Sequence, residues 1–197
     1  MVDWRYQALP APEEVFTETV RALGPAGFVG ANVTIPHKQA ALALADRASE
    51  AARAIGAANT LTFAADGTIA AENTDAPGLI AALQGLDGLP AGPSVLVLGA
   101  GGSARAAVWG LLGAGAREVS VWNRTPERAV ELAADLGARA VARPVPADLL
   151  VNCTSVGLER SASEREGLNL LGLTFEDRKS TRLNSSHYAL SRMPSSA

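Results

Sequence analysis

The chain has a single cysteine, Cys153, in 197 residues. That excludes an internal disulfide and a cysteine-based zinc cluster and fits a reducing compartment. No run approaches about 18 consecutive apolar residues, and the opening "MVDWRYQALP" has no apolar signal core, so neither a membrane span nor a secretory leader is expected. Charge of one sign is also scarce: the formal net charge is −3, with both signs interspersed. A nucleic-acid or membrane-surface partner is therefore not expected. Histidine is rare too, and His37 has no second His, Cys or carboxylate beside it at metal-ligand spacing, so no metal site is expected. These absences point to a cytoplasmic protein.

What is present is ample apolar material. With 48% hydrophobic residues, the chain can bury one large core or two small ones. Trp4–Leu9 alternates as a strand would, a helix runs from Pro12 to Leu23, and Gly24-Pro25 stops it. A strand is expected over Phe28–Ile35, then helices over Pro36–Ala45 and Ala48–Ile55. Ala58–Phe63 and Thr68–Glu72 flank Asp66-Gly67, a hairpin signal, and a helix follows from Asp75 to Leu83. The glycine- and proline-rich "GLDGLPAGPS", Gly85–Ser94, reads as a domain boundary. After it, strands at Val95–Leu98, Glu118–Trp122 and Leu149–Asn152 alternate with helices at Ser103–Gly113 and Pro126–Leu136, the pattern of a parallel sheet with helical crossovers. The expected fold is α/β: an N-terminal α/β domain, 1–90, followed by a Rossmann-type parallel-sheet domain, 91–177. The serine- and arginine-rich 178–197 is expected to be an artefactual or disordered tail.

The second unit carries a nucleotide signature. "VLVLGAGGSARA" sets Gly99, Gly101 and Ala104 in G-x-G-x-x-A spacing between a strand and a helix. Gly99 permits the tight turn, Gly101 lets backbone approach a pyrophosphate, and Ala104 lets helix and strand pack closely. Unpaired N–H groups and the helix dipole then favour phosphate. At the next strand end, where an NAD enzyme carries Asp or Glu for the ribose, this chain has "WNRTPER". Asn123, Arg124, Thr125 and Arg128 offer donors and cations that suit the 2′-phosphate of NADP. Asn152, Thr154 and Ser155 stand at a later strand end, the edge where ligands sit in open α/β sheets. Cys153 between them reads as a small buried filler.

In the first unit, "GANVTIPHK" leads a strand into a helix whose first turn holds Lys38, against the helix dipole. Taken alone, Lys38 reads as a surface lysine and His37 as a structural or surface residue. "GAANTL" and "ENTDAPG" add Asn59-Thr60 and Asn73-Thr74-Asp75, amides and hydroxyls suited to a polyol, although Asp75 also reads as a helix N-cap.

"GANVTIPHK", "GAANTL", "NTDAPG", "GAGGSARA", "NRTPER" and "NCTSVG", in this order and spacing up to about Asp177, resemble the shikimate dehydrogenase family. The resemblance implies reversible reduction of 3-dehydroshikimate to shikimate with NADPH, in aromatic amino-acid biosynthesis, between a substrate domain and a Rossmann domain. It implies that Lys38 and Asp75 are the catalytic pair and that Thr34, Asn59 and Asp75 contact shikimate. Gly99, Ala100, Gly101, Gly102, Ser103, Ala104 and Arg105, with Asn123, Arg124, Thr125 and Arg128, would hold NADP. Against the family pattern, a Ser-x-Ser segment that grips the substrate carboxylate is expected upstream. The last Rossmann strands, with a substrate-binding glutamine, are expected downstream, so both domains are expected to be incomplete. A quinate/shikimate paralogue and a non-catalytic nucleotide-binding module are the alternatives, and a monomer and a homodimer are both open.

Overall fold

The computed structural model describes residues 5–84 and 91–155 together with the short strands 181–182 and 189–192. Within the first unit a 3-10 turn, Glu13–Val15, leads into α1, Phe16–Leu23, which buries Phe16, Val20 and Leu23 at helical spacing. The strand β1, Gly30–Asn32, precedes α2, Lys38–Leu44, and β2, Arg47–Ala48. Helix α3, Glu50–Ile55, begins where Ser49 Oγ accepts from Ala52 N at 3.1 Å and ends at Gly56 in the left-handed conformation. The hairpin forms as expected: β3, Thr60–Phe63, pairs antiparallel with β4, Ile69–Glu72, around Asp66-Gly67. The sheet order is β1-β3-β4-β2, with β2 parallel to β4.

Several expected elements differ. Residues 5–9 join no ladder, and Trp4 lies outside the described residues; alternation makes a strand only where a neighbour supplies hydrogen bonds, and here Tyr6 reaches Asn32 through side chains at 3.4 Å. The strand expected over Phe28–Ile35 is confined to Gly30–Asn32, and α2 starts at Lys38, because the chain turns between them, His37 N donating to Thr34 O at 3.0 Å. The helix expected from Ala48 starts later because Ala48 pairs with Ala71.

In the second unit β5, Ser94–Leu98, β6, Glu118–Trp122, β7, Arg139–Ala140, and β8, Leu149–Asn152, are parallel in the order β7-β6-β5-β8. Helices α5, Gly102–Gly113, and α6, Pro126–Leu136, follow β5 and β6. The continuous burial of Val95–Leu98 is what a strand covered on both faces requires. Within 178–197, expected to be an artefactual or disordered tail, Thr181–Arg182 (β9) and Ala189–Arg192 (β10) are strands, and β10 pairs antiparallel with the edge of β8. An open strand edge presents unpaired N–H and C=O groups that recruit such a neighbour.

Helix α4, Asp75–Gln84, ends just before the glycine-rich boundary, whose residues 85–90 lie outside the described residues. Its Leu79 and Leu83 nevertheless pack into the core of the second unit with Val95, Val97, Val108 and Leu111. A seam of small apolar residues, Ala57, Ala76 and Ala106 around Ile55, joins the two units.

Candidate functional site

The seam brings the charged residues together. Lys38 opens α2 and is 2% exposed, although it is a lysine in the first turn of a helix. Its Nζ donates to Asp75 Oδ2 at 2.7 Å and to Ser103 Oγ at 2.8 Å. A buried ammonium is tolerable only when paired and hydrogen-bonded, and both conditions are met here.

Asp75 is free for this role because Asn73 does the capping. Asn73 Oδ1 accepts from the backbone N–H groups of Asp75 and Ala76 at 3.1 and 3.3 Å, while its amide donates to Ala57 O at 2.9 Å. The reading of Asp75 as an N-cap is therefore corrected. Its second oxygen, Oδ1, accepts from Asn59 Nδ2 at 3.0 Å, and Asn59 Oδ1 accepts from Thr74 N at 2.8 Å. Asn59, Thr74 and Asp75 thus form one network at the ends of β3 and β4, half open to solvent. Thr34 stands beside it: Val33 N donates to Asn59 O at 2.7 Å, and Thr34 follows directly. With Asn32 and His37, Thr34 also lines a cavity of about 290 Å³ bounded by residues 5–9. His37 is structural, its ring stacked on Phe16 at 4.2 Å and its Nε2 2.7 Å from Ala11 O.

The glycine turn lies on the other side of Lys38. Gly99 has φ +107°, and a Cβ there would come 3.0 Å from Cys153 O, so both the turn and the approach of β8 demand glycine. Around Gly101 a Cβ would meet nothing within 4 Å. Among the described residues no packing calls for glycine there, and open space at the start of a helix is what a phosphate requires. Gly102 differs, because a Cβ there would lie 2.6 Å from Lys38 Cβ. Ser103 is turned to Lys38 and Ala104 is fully buried, while Ala100 packs against the core. These residues therefore divide between an open turn at Gly101 and the wall behind the lysine.

Asn123 Nδ2 donates to Thr125 O at 2.9 Å, shaping the turn before Pro126. Arg124, Thr125 and Arg128 are exposed around it, and among the described residues neither arginine makes an ion pair. Asn152 Oδ1 accepts from Thr154 N and Oγ1 at 3.0 and 2.7 Å, closing the turn after β8, with Ser155 exposed beyond it. Cys153 is buried, and burial pushes its thiol far above the ordinary range, which makes it a poor nucleophile.

One residue escaped sequence reasoning as an interdomain contact. Arg105 Nε donates to Ile55 O at 2.6 Å, at the end of α3, and Nη2 pairs with Asp135 at 2.8 Å. A cation at a helix C-terminus is favoured by the dipole. The signal in the sequence was an arginine amid the small apolar residues of "SARAAVW".

Fold and site together define a two-domain α/β protein, a substrate-binding unit joined to a Rossmann-type nucleotide-binding unit with a buried lysine–carboxylate pair at their seam. The chain belongs to the shikimate dehydrogenase family. Residues 1–61 match the family model described as the shikimate dehydrogenase substrate binding domain, and residues 85–152 match that of shikimate / quinate 5-dehydrogenase. The shikimate dehydrogenase (NADP(+)) of Methylobacterium radiotolerans is 49% identical over 166 residues, 78% of this chain and 59% of that protein. Among solved structures, shikimate 5-dehydrogenase from Thermus thermophilus, in complex with NADP(H) and shikimate, aligns with a TM-score of 0.64 at 46% identity. That match covers 75% of this chain and 56% of the other. Ligand-free 5-ketofructose reductase from a Gluconobacter strain aligns with a TM-score of 0.62 at 32% identity, covering 79% and 60%. The chain spans about three fifths of the length of the curated relatives it matches.

Proposed function

We propose that this chain carries the core of an NADP-dependent dehydrogenase that interconverts 3-dehydroshikimate and shikimate in the cytoplasm. The observation that carries this reading is the buried Lys38–Asp75 pair, 2.7 Å apart, set between a polar network and an open glycine turn. The N–H groups at the start of α5 would hold the pyrophosphate, and Arg124 and Arg128, with Asn123 and Thr125, would take the 2′-phosphate. Asn152, Thr154 and Ser155 would border the same ligand at the end of β8. When bound, the nicotinamide supplies or accepts the hydride.

The protein's own part is acid–base and electrostatic. Negative charge that develops on the substrate carbonyl oxygen is met by the Lys38 ammonium, which donates a proton to it in reduction and recovers one in oxidation. Asp75 holds the ammonium in place through one oxygen and Asn59 through the other. Thr34, Asn59 and Asp75 would take the substrate hydroxyls. The likeness to 5-ketofructose reductase supports a second reading, in which the same pair serves a different hydroxyketone.

The test uses the 197-residue chain and the same chain completed with the flanking segments of the Methylobacterium relative. NADP+ binding is measured by calorimetry on both, and oxidation of shikimate, quinate and fructose is followed by NADPH absorbance. The completed chain is expected to prefer shikimate and to turn over within the ordinary enzyme range of about 1 to 10³ per second. Preference for another alcohol would favour the second reading. Absence of NADP+ binding to both forms would overturn both readings.

A further inference from the structure

We propose that Ser103 is a positioning residue for Lys38, so that the nucleotide-binding helix α5 aims the lysine of the substrate domain. The inference rests on the reading above, in which Lys38 meets the reacting oxygen. An ammonium has three N–H donors, and Asp75 and Ser103 fix the directions of two of them at 2.7 and 2.8 Å. With two N–H bonds fixed, the third direction is determined. Removing either acceptor frees the group to rotate.

Consecutive residues of α5 hold the side chain. Gly102 provides the wall: a Cβ there would meet Lys38 Cβ at 2.6 Å and Cδ at 3.3 Å, so the aliphatic stem lies across the Gly102 backbone. Ser103 provides the acceptor and is itself 2% exposed, in a place where water does not readily replace it. Within its own domain the lysine is fixed through its backbone, Lys38 O accepting from Ala58 N at 2.8 Å. Its side chain is held by Asp75 of α4, in the same domain, and by Ser103 of α5 in the other, and both helices pack into the second core. The serine in "GAGGSARA" therefore serves the lysine through its side chain, whatever its backbone does for a phosphate.

The sequence makes the test unusually clean, because the chain has two lysines, Lys38 and Lys179. In protein labelled with 13C,15N-lysine, a nuclear Overhauser contact between the Lys38 ammonium or ε-methylene protons and the Ser103 β protons is expected. Trace acylation with acetic anhydride, read by mass spectrometry, then gives the reactivity of Lys38 relative to Lys179. Ser103→Ala is expected to raise that ratio about tenfold or more, the factor that a hydrogen bond to a charged group is worth. Ser103→Thr, which keeps a hydroxyl, is expected to bring it back toward the unmodified value. An unchanged ratio in a folded Ser103→Ala protein would overturn the proposal. Should that variant fail to fold, absence of the Overhauser contact in the unmodified chain would overturn it alone. Both readouts are taken without nucleotide or substrate, so a chain that neither binds NADP+ nor oxidises shikimate would defeat the functional reading while leaving these results standing.

Discussion

Gly56 and Arg105 share one space at the seam: the glycine has φ +75°, and a Cβ on it would lie 2.7 Å from the Arg105 guanidinium. The end of α3 and the flank of α5 can therefore touch only because residue 56 has no side chain. Gly137, at the end of α6, has the same φ of +75° but nothing within 4 Å of its absent Cβ. Gly137→Ala should lose about 1 to 2 kcal/mol of stability from the left-handed backbone alone. Gly56→Ala should lose clearly more, since Arg105 must also leave Ile55 O. Urea midpoints of the two variants check this, and equal losses would show that Arg105 yields without cost.

The Lys38–Asp75 pair gives a stability prediction independent of any substrate. Lys38→Met leaves the Asp75 carboxylate buried beside an apolar stem, and Asp75→Asn leaves the ammonium without its counter-charge. Each should cost about 3 to 5 kcal/mol, the scale for breaking a buried pair. The double variant should recover much of that loss, because neither charge remains unpaired. A double-mutant cycle by urea titration measures the coupling, and simple additivity of the two single losses would mean that the pair is solvated in solution.

Much of this arrangement was legible beforehand, for physical reasons that differ residue by residue. The β5–turn–α5 unit was readable because Gly99, Gly101 and Ala104 follow an apolar run at a spacing that local geometry dictates. The β3–β4 hairpin was readable because Asp66-Gly67 supplies a turn whose Asp66 side chain accepts from Thr68 N at 2.9 Å. Residues 5–9 misled because alternation says nothing about whether a partner strand lies alongside. Lys38 could not be told from a surface lysine by its own neighbours. Its burial depends on Asp75 and Ser103, 37 and 65 residues away. The contacts of Gly102 and Ser103 with Lys38 were not legible, because a motif reports the local turn and not what packs behind it.

Asp148 ties the start of β5 to the turn before β8. Its Oδ2 accepts from Ser94 N and Ser94 Oγ at 2.8 Å each and pairs with Arg117 at 2.9 Å. These hydrogen bonds from Ser94, backbone first, hold the carboxyl below its ordinary value, with Arg117 adding to them. A lowered value in the folded state means stability that is present above the unfolded value, about 3.9, and is lost as pH falls through the folded one. Asp148→Asn should therefore be less stable than the parent near neutral pH, and the gap should narrow below about pH 4. Urea midpoints across the acid range check the sign, and a gap that widens on acidification would contradict it.

Arg124 tests the proposed preference for NADP over NAD. It is exposed at the end of β6, where an acid would stand if the ribose hydroxyls were the feature being read. A guanidinium there makes a charge-assisted hydrogen bond to a 2′-phosphate and has no comparable partner on a free ribose. Arg124→Ala should weaken NADPH binding to this chain by about 1.5 to 3 kcal/mol, the worth of a hydrogen bond to a charged group, and leave NADH binding unchanged. Arg128→Ala should show the same asymmetry with a share of the loss, since two cations at one phosphate divide the attraction. Calorimetric titration with both nucleotides at fixed ionic strength is the measurement, because surface charge attraction is screened by salt. If Arg124→Ala weakened both nucleotides equally, the arginine would be a general anion attractor and discrimination would have to come from Asn123 and Thr125.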